Sequence, residues 1–410
     1  MTTHPTTRPT AHRTTRRTVR TTLVAALLAA LTTSTTSTSG AAAARPAAEA
    51  AGVALPVPVT ATVTTGELGA GSVLAVVSHG RFEKVHARGL RRSLEVVTPD
   101  GVRHPVYTVA VAEDRDGFFP GDFTLVDWRP ELHAALLRVS LGVEGEKVVS
   151  YDVTTGATRE VALPRRASTV ALDPDGSGLL LATYDAGRRP GRVGTLRWDG
   201  TRHWLPAHDD GTPITSPDGR TLVTPYGEQW WVTDLATRTS TPVDVPGVCA
   251  PQRWDGDAVV ATCNGRLSSQ LRLVRLDGTS TRLGVRHTER TRRHGPAVFD
   301  DADVRTVQGR SYYESYGGCG GAFLTRQHAS GRVRVVDVPG WEDSTVRLLG
   351  TSGDRLLLAR TADDCDAAHP GGSLGLFDPV TRQVTDLTVL GRREAWRELL
   401  PTAEVHAWLW

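Results

Sequence analysis

Four cysteines, Cys249, Cys263, Cys319 and Cys365, are the first residues of this 410-residue chain whose type and number point to chemistry. No two form a C-x₂₋₄-C pair, so a zinc site is not expected, and an even number reads as two disulfides. The thirteen histidines include no H-E-x-x-H and no H-x-H, the spacings that place two imidazoles on one metal. There is no G-x-S-x-G nucleophile turn. Carboxylates gather at Asp209-Asp210, at Asp300-Asp301-Asp303 and at Asp363-Asp364-Asp366. The last group could wrap a calcium ion, which needs several hard oxygens from one loop, but solvated turns are the plainer reading of all three. Glycoside hydrolysis needs two carboxyl groups facing each other across a sugar. Glu131, Glu228 and Glu314, in three different segments, are the candidates, and their spacing does not bring them together. The sialidase pattern S-x-D-x-G-x-x-W fails as well, since Gly219 follows Asp218 one place too early. No catalytic residue, metal ligand or cofactor site is therefore assigned.

Aromatic residues offer binding instead. Tyr312, Tyr313 and Tyr316 lie in GRSYYESYGGCGG, and glycine-flanked tyrosines ahead of a cysteine suit an exposed, pinned surface. Phe118 and Phe119 in GFFPGDF read as an apolar plug on one face of the fold, or as a recognition loop. Trp230 and Trp231 are adjacent on a strand and point opposite ways, which favours core packing.

The elements that must position these residues begin after a foreign leader. Residues 1–44 hold five arginines and no acid, then the apolar run Leu23 to Leu31, then GAAAARP. The run is too short for a span of about 20 residues. A basic segment, an apolar segment and a small-residue site make a secretory signal peptide. TRRTVR leaves Sec and Tat export both open, and no cysteine follows to anchor a lipoprotein. The end, EVHAWLW, has no hydrophobic tail, so release as a monomer outside the cell is expected. Without the leader's five arginines the net charge of +2 becomes about −3, which provides no footprint for nucleic acid. Lys84 and Lys147 are the only lysines, a bias that fits a high-GC bacterial genome.

From Leu125 onward a strand, a polar turn and an apolar strand recur as LVDWRPELHAALLRV, VALDPDGSGLLLATY and PITSPDGRTLVTPY. Weaker copies are QRWDGDAVVAT, AVFDDADVRTVQ and LLGTSGDRLLLAR. A second hairpin follows each, as in VVTPDGVRHPV, LRWDGTRHWL and LFDPVTRQVTDL, and it occurs seven times between Val96 and Leu387. Two hairpins make the four strands of one propeller blade, so the expectation is an all-β, seven-bladed propeller over 45–410 rather than a solenoid or two sandwiches. Blade one lacks an inner strand, and alternating apolar residues in PTAEVHAWLW predict that residues 402–410 supply it. The only helix candidate after the leader is REAWRELL from Arg393. Cys249 and Cys263 flank Gly256 at equal distances, so a hairpin sets them opposite each other; Cys319 and Cys365 occupy equivalent loops of adjacent blades. The repeat register thus pairs 249 with 263 and 319 with 365.

ITSPDGRTLV, VALDPDGSGLLL and LFDPVTRQV resemble the repeat of TolB-like, WD-repeat-like β-propellers over roughly Val53 to Leu390. The resemblance implies the propeller fold and a scaffold that holds protein partners. It departs from the family's best-known members in leaving no room for an α/β domain before the first blade. The function expected is a secreted, non-catalytic module that binds a protein, small ligand or glycan at or beyond the envelope. The alternative is an extracellular carbohydrate-active hydrolase or lyase.

Overall fold

A computed structural model describes residues 56–69, 71–82, 87–113, 117–183, 191–209, 211–264, 269–283, 304–316, 322–327, 333–342, 344–362 and 371–401. They belong to one unit, Val53–Trp410. After β1(Val59–Thr60), blade one holds β2(Val73–Phe82), β3(Ala87–Val97) and β4(Arg103–Val111). Blade two is β5(Phe123–Arg129), β6(Ala134–Ser140), β7(Glu146–Asp152) and β8(Thr158–Ala162). Blade three is β9(Ala167–Leu172), β10(Gly178–Thr183), β11(Gly191–Arg197) and β12(Arg202–Asp209). Blade four is β13(Ile214–Thr215), β14(Thr221–Tyr226), β15(Gln229–Asp234) and β16(Thr239–Asp244). Blade five is β17(Val248–Asp255), β18(Ala258–Asn264), β19(Ser269–Arg275) and β20(Ser280–Arg282). Blade six is β21(Val304–Val307), β22(Arg310–Tyr316), β23(Ala322–Gln327) and β24(Val333–Val335). Blade seven is β25(Ser344–Ser352), β26(Arg355–Ala362), β27(Ser373–Asp378) and β28(Gln383–Val389), after which β29(Glu394–Pro401) returns to blade one as its innermost strand. Every blade is an antiparallel sheet of four strands, and β1 adds a short fifth at the outer edge of blade one. The fold is a seven-bladed β-propeller, with no α-helix among the described residues.

Both sides of a blade face a neighbour, so its strands are apolar on both sides. The buried side chains accordingly form seven clusters, one for each junction between adjacent blades. The cluster between blades seven and one joins Val73, Ala75 and Val77 to Leu349, Leu374, Trp396 and Leu399, which closes the ring.

Two expectations are corrected. REAWRELL is not a helix: it is β29, paired antiparallel with β2. A bulge explains the misreading. Trp396 and Glu398 pair with the consecutive Val77 and Val76, leaving Arg397 as an extra residue. That insertion spaces Trp396, Leu399 and Leu400 as i, i+3 and i+4, the signature of a helix face. The tail at 402–410, expected to close blade one, lies outside the described residues. The first hairpin of blade six turns at Gln308-Gly309, not in FDDAD, and Gln308 accepts a positive φ of 51° there.

Candidate interaction face

With the strands of a blade lettered a to d from the innermost outward, the described a–b and c–d hairpins open on one face, while the described b–c turns and crossings to the next blade lie on the other. The hairpin face is built from aspartate turns. Asp199 accepts hydrogen bonds from the backbone N–H of Thr201, Asp218 from Arg220, Asp234 from Ala236 and Thr237, and Asp378 from Val380 and Thr381. Backbone N–H groups hold the Asp199, Asp234 and Asp378 carboxyls below their usual range, and the Ser216 and Thr279 hydroxyls do the same for Asp218 and Asp277. The polar groups of this face are largely occupied by the turns themselves.

The crossing face is apolar by contrast. Of the large exposed apolar side chains, Phe118, Phe119, Val143, Tyr226 and Val248 stand on its turns and crossings, and Val335 and Val389 end outer strands there. Only Val102 and Val380 are exposed on hairpin turns, among the described residues. Phe118 and Phe119 are 44% and 39% exposed, so both side chains reach the surface. Their loop is pinned. Gly121 N–H donates to Ser140 O at 2.8 Å, Asp122 N–H to Phe119 O at 3.1 Å, and Ser140 N–H to Asp122 O at 2.9 Å. The Asp122 carboxylate caps Phe123 N–H and takes both Nε and Nη2 of the buried Arg92 at 2.8 Å. Gly121 has φ 83°, and a Cβ there would stand 2.6 Å from Pro56 Cγ. Val143, 66% exposed, sits on the 3₁₀ turn Gly142–Glu144 just beyond Ser140.

The other aromatic expectations come out differently. Tyr312 and Tyr313 are buried, not exposed: Tyr312 packs between blades six and seven, and Tyr313 faces blade five and donates its hydroxyl to Leu283 O at 2.6 Å. They alternate on β22, the second strand of blade six, which is covered on both faces, so neither ring reaches solvent. The Tyr316 side chain lies outside the described residues. Trp230 is buried and donates Nε1–H to Cys249 O at 2.9 Å. Cys249 and Cys263 are directly opposed on β17 and β18 and form a disulfide. Cys319 and Cys365 fall outside the described residues, as do the side chains of the three aspartate clusters. Among the described residues no three His, Cys, Asp or Glu side chains are grouped to hold a metal ion.

The three glutamates do not converge. Glu131 is exposed on the hairpin face, Glu228 on the b–c turn of the opposite face, and Glu314 is buried in β22. Glu314 pairs with Arg347 Nε at 2.9 Å and accepts Leu348 N–H at 2.8 Å, which binds blade six to blade seven. Sequence reading missed that this is a recurring device. Asp127 accepts Leu172 N–H at 2.9 Å, Glu398 accepts Leu125 N–H, Arg253 donates to Val304 O, and Arg305 donates to Leu349 O at 3.3 Å. Each joins the inner strand of one blade to the backbone of the next. The inner strands are edges and several carry bulges, so their backbone groups lack ladder partners and a neighbour's charged side chain supplies one. The signal available in the sequence was a charge inside an otherwise apolar inner strand, as in LVDWR and QRW.

A second, partly buried polar cluster lies where β29 meets β2, β3 and β4. His79 Nε2 is 2.6 Å from Ser93 Oγ and 3.2 Å from Glu95 Oε1, and its Nδ1 is 3.2 Å from Glu394 Oε1. Arg103 donates to Glu95 at 2.7 Å and to both oxygens of Glu394 at 2.8 and 3.1 Å. Ser93, His79 and Glu394 thus stand in the order of a hydrolytic relay. The hydrogen bonding contradicts that chemistry. Ser93 is buried and donates to Glu95, so its oxygen can only accept from His79, whereas a general base would need a lone pair on that nitrogen. Burial opposes ionisation of Glu95, but hydrogen bonds from His79, Arg103 and Ser93 outweigh it and draw the carboxyl down to about 2. The cluster is a clasp between the two ends of the propeller.

No family model and no curated protein sequence matches the chain. Solved structures do. A prolyl endopeptidase aligns at 12% identity over 82% of this chain and 51% of its own, with TM-score 0.51. Pyrococcus horikoshii acylaminoacyl peptidase aligns at 12% identity over 80% and 54%, with TM-score 0.47. Staphylococcus aureus virginiamycin B lyase aligns at 11% identity over 76% and 97%, with TM-score 0.40. The chain spans about half the length of the peptidases it matches. The likeness is one of fold: the neighbours are largely peptidase propeller domains, and this chain shares their seven-bladed β-propeller architecture.

Proposed function

We propose that the protein is an exported β-propeller, TolB-like in its repeat, that serves as a binding module for a protein or small ligand on its crossing face. The observation that carries this reading is the Phe118-Phe119 pair, two exposed rings on a loop fixed by Asp122 and the buried Arg92. Aromatic side chains held rigid before contact lose little entropy on binding, which is why they act as anchors. The hairpin face offers less, because its carboxylates already serve its own turns. Export rests on the leader at 1–44, and the buried Cys249–Cys263 bridge supports an oxidising destination.

The test is chemical cross-linking of the mature protein in its native culture, beside a Phe118→Ser/Phe119→Ser variant with unchanged thermal stability. The expected result is one reproducible partner, captured through residues 117–123 and lost in the variant. Equal capture by both proteins, or attachment through the hairpin face, would refute the reading. Turnover of a glycan by the purified protein would replace the scaffold with an enzyme.

A further inference from the structure

The link that enters the closing strand, and the strand itself, carry three arginines: Arg392, Arg393 and Arg397. All three are exposed, and none makes a side-chain hydrogen bond or ion pair with a described residue. The link lies on the crossing face, where Arg393 O accepts Gly80 N–H at 2.9 Å near the end of β2.

Arg397 is placed by the bulge. Trp396 and Leu399 pack against blade seven, Glu398 reaches Leu125 of blade two, and β2 lies behind the strand. The exposed Arg397 side chain is left with the axial side of the ring as its route to solvent. It is partly enclosed there: burial, then Arg92, lowers its guanidinium from the usual arginine value, against the pull of Asp122 and Glu398. A guanidinium stripped of part of its water and lacking an acceptor gains strongly from an incoming carboxylate.

The neighbouring carboxylates are engaged elsewhere. Asp122 accepts Nε and Nη2 of Arg92 and caps Phe123 N–H, Glu394 holds both Nη atoms of Arg103 and caps Gly391 N–H, and Glu398 accepts Leu125 N–H. The seam therefore offers open donors beside occupied acceptors. Asp122 is also the common neighbour of the two halves of this surface: Arg397 feels its charge, and its backbone N–H donates to Phe119 O at 3.1 Å.

We propose that this part of the crossing face takes an acidic segment of a partner protein, whose carboxylates pair with Arg393 and Arg397 while an apolar side chain between them packs on Phe118 and Phe119. The inference rests on the binding reading above and names the partner's chemistry. A protein segment is favoured over a nucleic acid or a lipid surface on two counts. The exposed rings call for apolar side chains beside the carboxylates. The mature chain's net charge of about −3 opposes an extended polyanion, whereas a short segment meets only the local surplus of arginine.

Fluorescence anisotropy with the full mature chain tests it, using a labelled Glu-Glu-Phe-Phe-Glu-Glu peptide beside its Gln-for-Glu and Ser-for-Phe counterparts. At about 20 mM salt the acidic peptide should bind at least about tenfold more tightly than the glutamine peptide, and about 200 mM salt should erase most of that margin. In a folded Arg393→Gln/Arg397→Gln protein the margin should disappear, and in Phe118→Ser/Phe119→Ser the preference for phenylalanine over serine should disappear instead. Absence of binding at about 1 mM peptide, equal affinity for the glutamate and glutamine peptides, or a margin that persists in the folded arginine variant overturns the inference. The wild-type comparison decides it even where the variant fails to fold. Binding to phosphatidylserine vesicles without binding to the peptide overturns it too. If the acidic preference fails while cross-linked capture through residues 117–123 persists, the binding module stands and only its partner's chemistry is wrong.

Discussion

Replacing Glu95 by Gln removes one charge from the clasp without opening a cavity, because the amide has nearly the shape of the carboxyl. The Glu95 side chain is fully buried and its carboxyl is lowered from 4.5 to about 2. At roughly 1.4 kcal/mol per unit, that difference makes ionised Glu95 worth about 3 kcal/mol to the folded state at neutral pH. A depressed carboxyl contributes stability that is complete above its unfolded value and is lost as pH falls through its folded value. Urea unfolding should therefore show the wild type more stable than Glu95→Gln by about 3 kcal/mol near pH 6, with the gap narrowing from about pH 4.5 down to about pH 2. Some acid sensitivity will remain in the variant, because Glu394 is lowered too, chiefly by its hydrogen bond from Arg103. Parallel curves for the two proteins from about pH 6 to about pH 2.5 would refute the account, since the buried carboxylate would then contribute nothing that depends on its charge.

Two further perturbations probe the repeat. In the SPDGR turn a Cβ on Gly219 would stand 2.6 Å from Arg129 Nη2, and φ is 69°, whereas Gly256 has φ 62° and nothing within 4 Å. Gly256→Ala should cost only the left-handed backbone term, about 1–2 kcal/mol, and Gly219→Ala measurably more, because the buried Arg129 must move; equal losses in denaturant titrations would remove Arg129 from the explanation. Replacing Cys249 and Cys263 together by Ala should lower stability by about 3 kcal/mol, as expected for a closed loop of this length, and unchanged unfolding midpoints would show the bridge to be energetically idle.

The fold was legible because its turns obey local chemistry. An aspartate that caps the backbone two residues on, followed by a glycine of positive φ, marks a hairpin wherever it sits, and Asp199-Gly200 and Asp277-Gly278 were readable for that reason. The Cys249–Cys263 bridge followed from the same register. What was lost depended on contacts distant in sequence. The bulge at Arg397 exists because β29 meets a strand more than 300 residues earlier, and it gave the closing strand the spacing of a helix. Tyr312 and Tyr313 carried the same ambiguity as Trp230 and Trp231, adjacent aromatics on one strand; both tyrosines are buried, one on each side of the blade, whereas of the tryptophans Trp230 is buried and Trp231 half-buried. Glu314 read as a candidate acid, and its actual task, holding Leu348 of the next blade, has no local signature.

The repetition that builds the ring also determines where it can bind. Hairpins must satisfy their own backbone, and an aspartate with a hydroxyl and a glycine does so in turns of blades two, four and five, so much of the described hairpin face repeats one solution to which its carboxylates are committed. Several inner strands are committed likewise, since charged side chains on them tie blade one to two, two to three, five to six and six to seven. Crossings are under no such demand. They need only span from an outer strand to the next inner one, so length and side chains there vary without disturbing the register of any blade. The crossing into blade two uses that freedom to set Phe118 and Phe119 at the surface on a loop whose rigidity comes from Asp122 and Arg92 beneath it. The proposed binding role would rest on a crossing that can vary in sequence while the propeller that carries it stays the same.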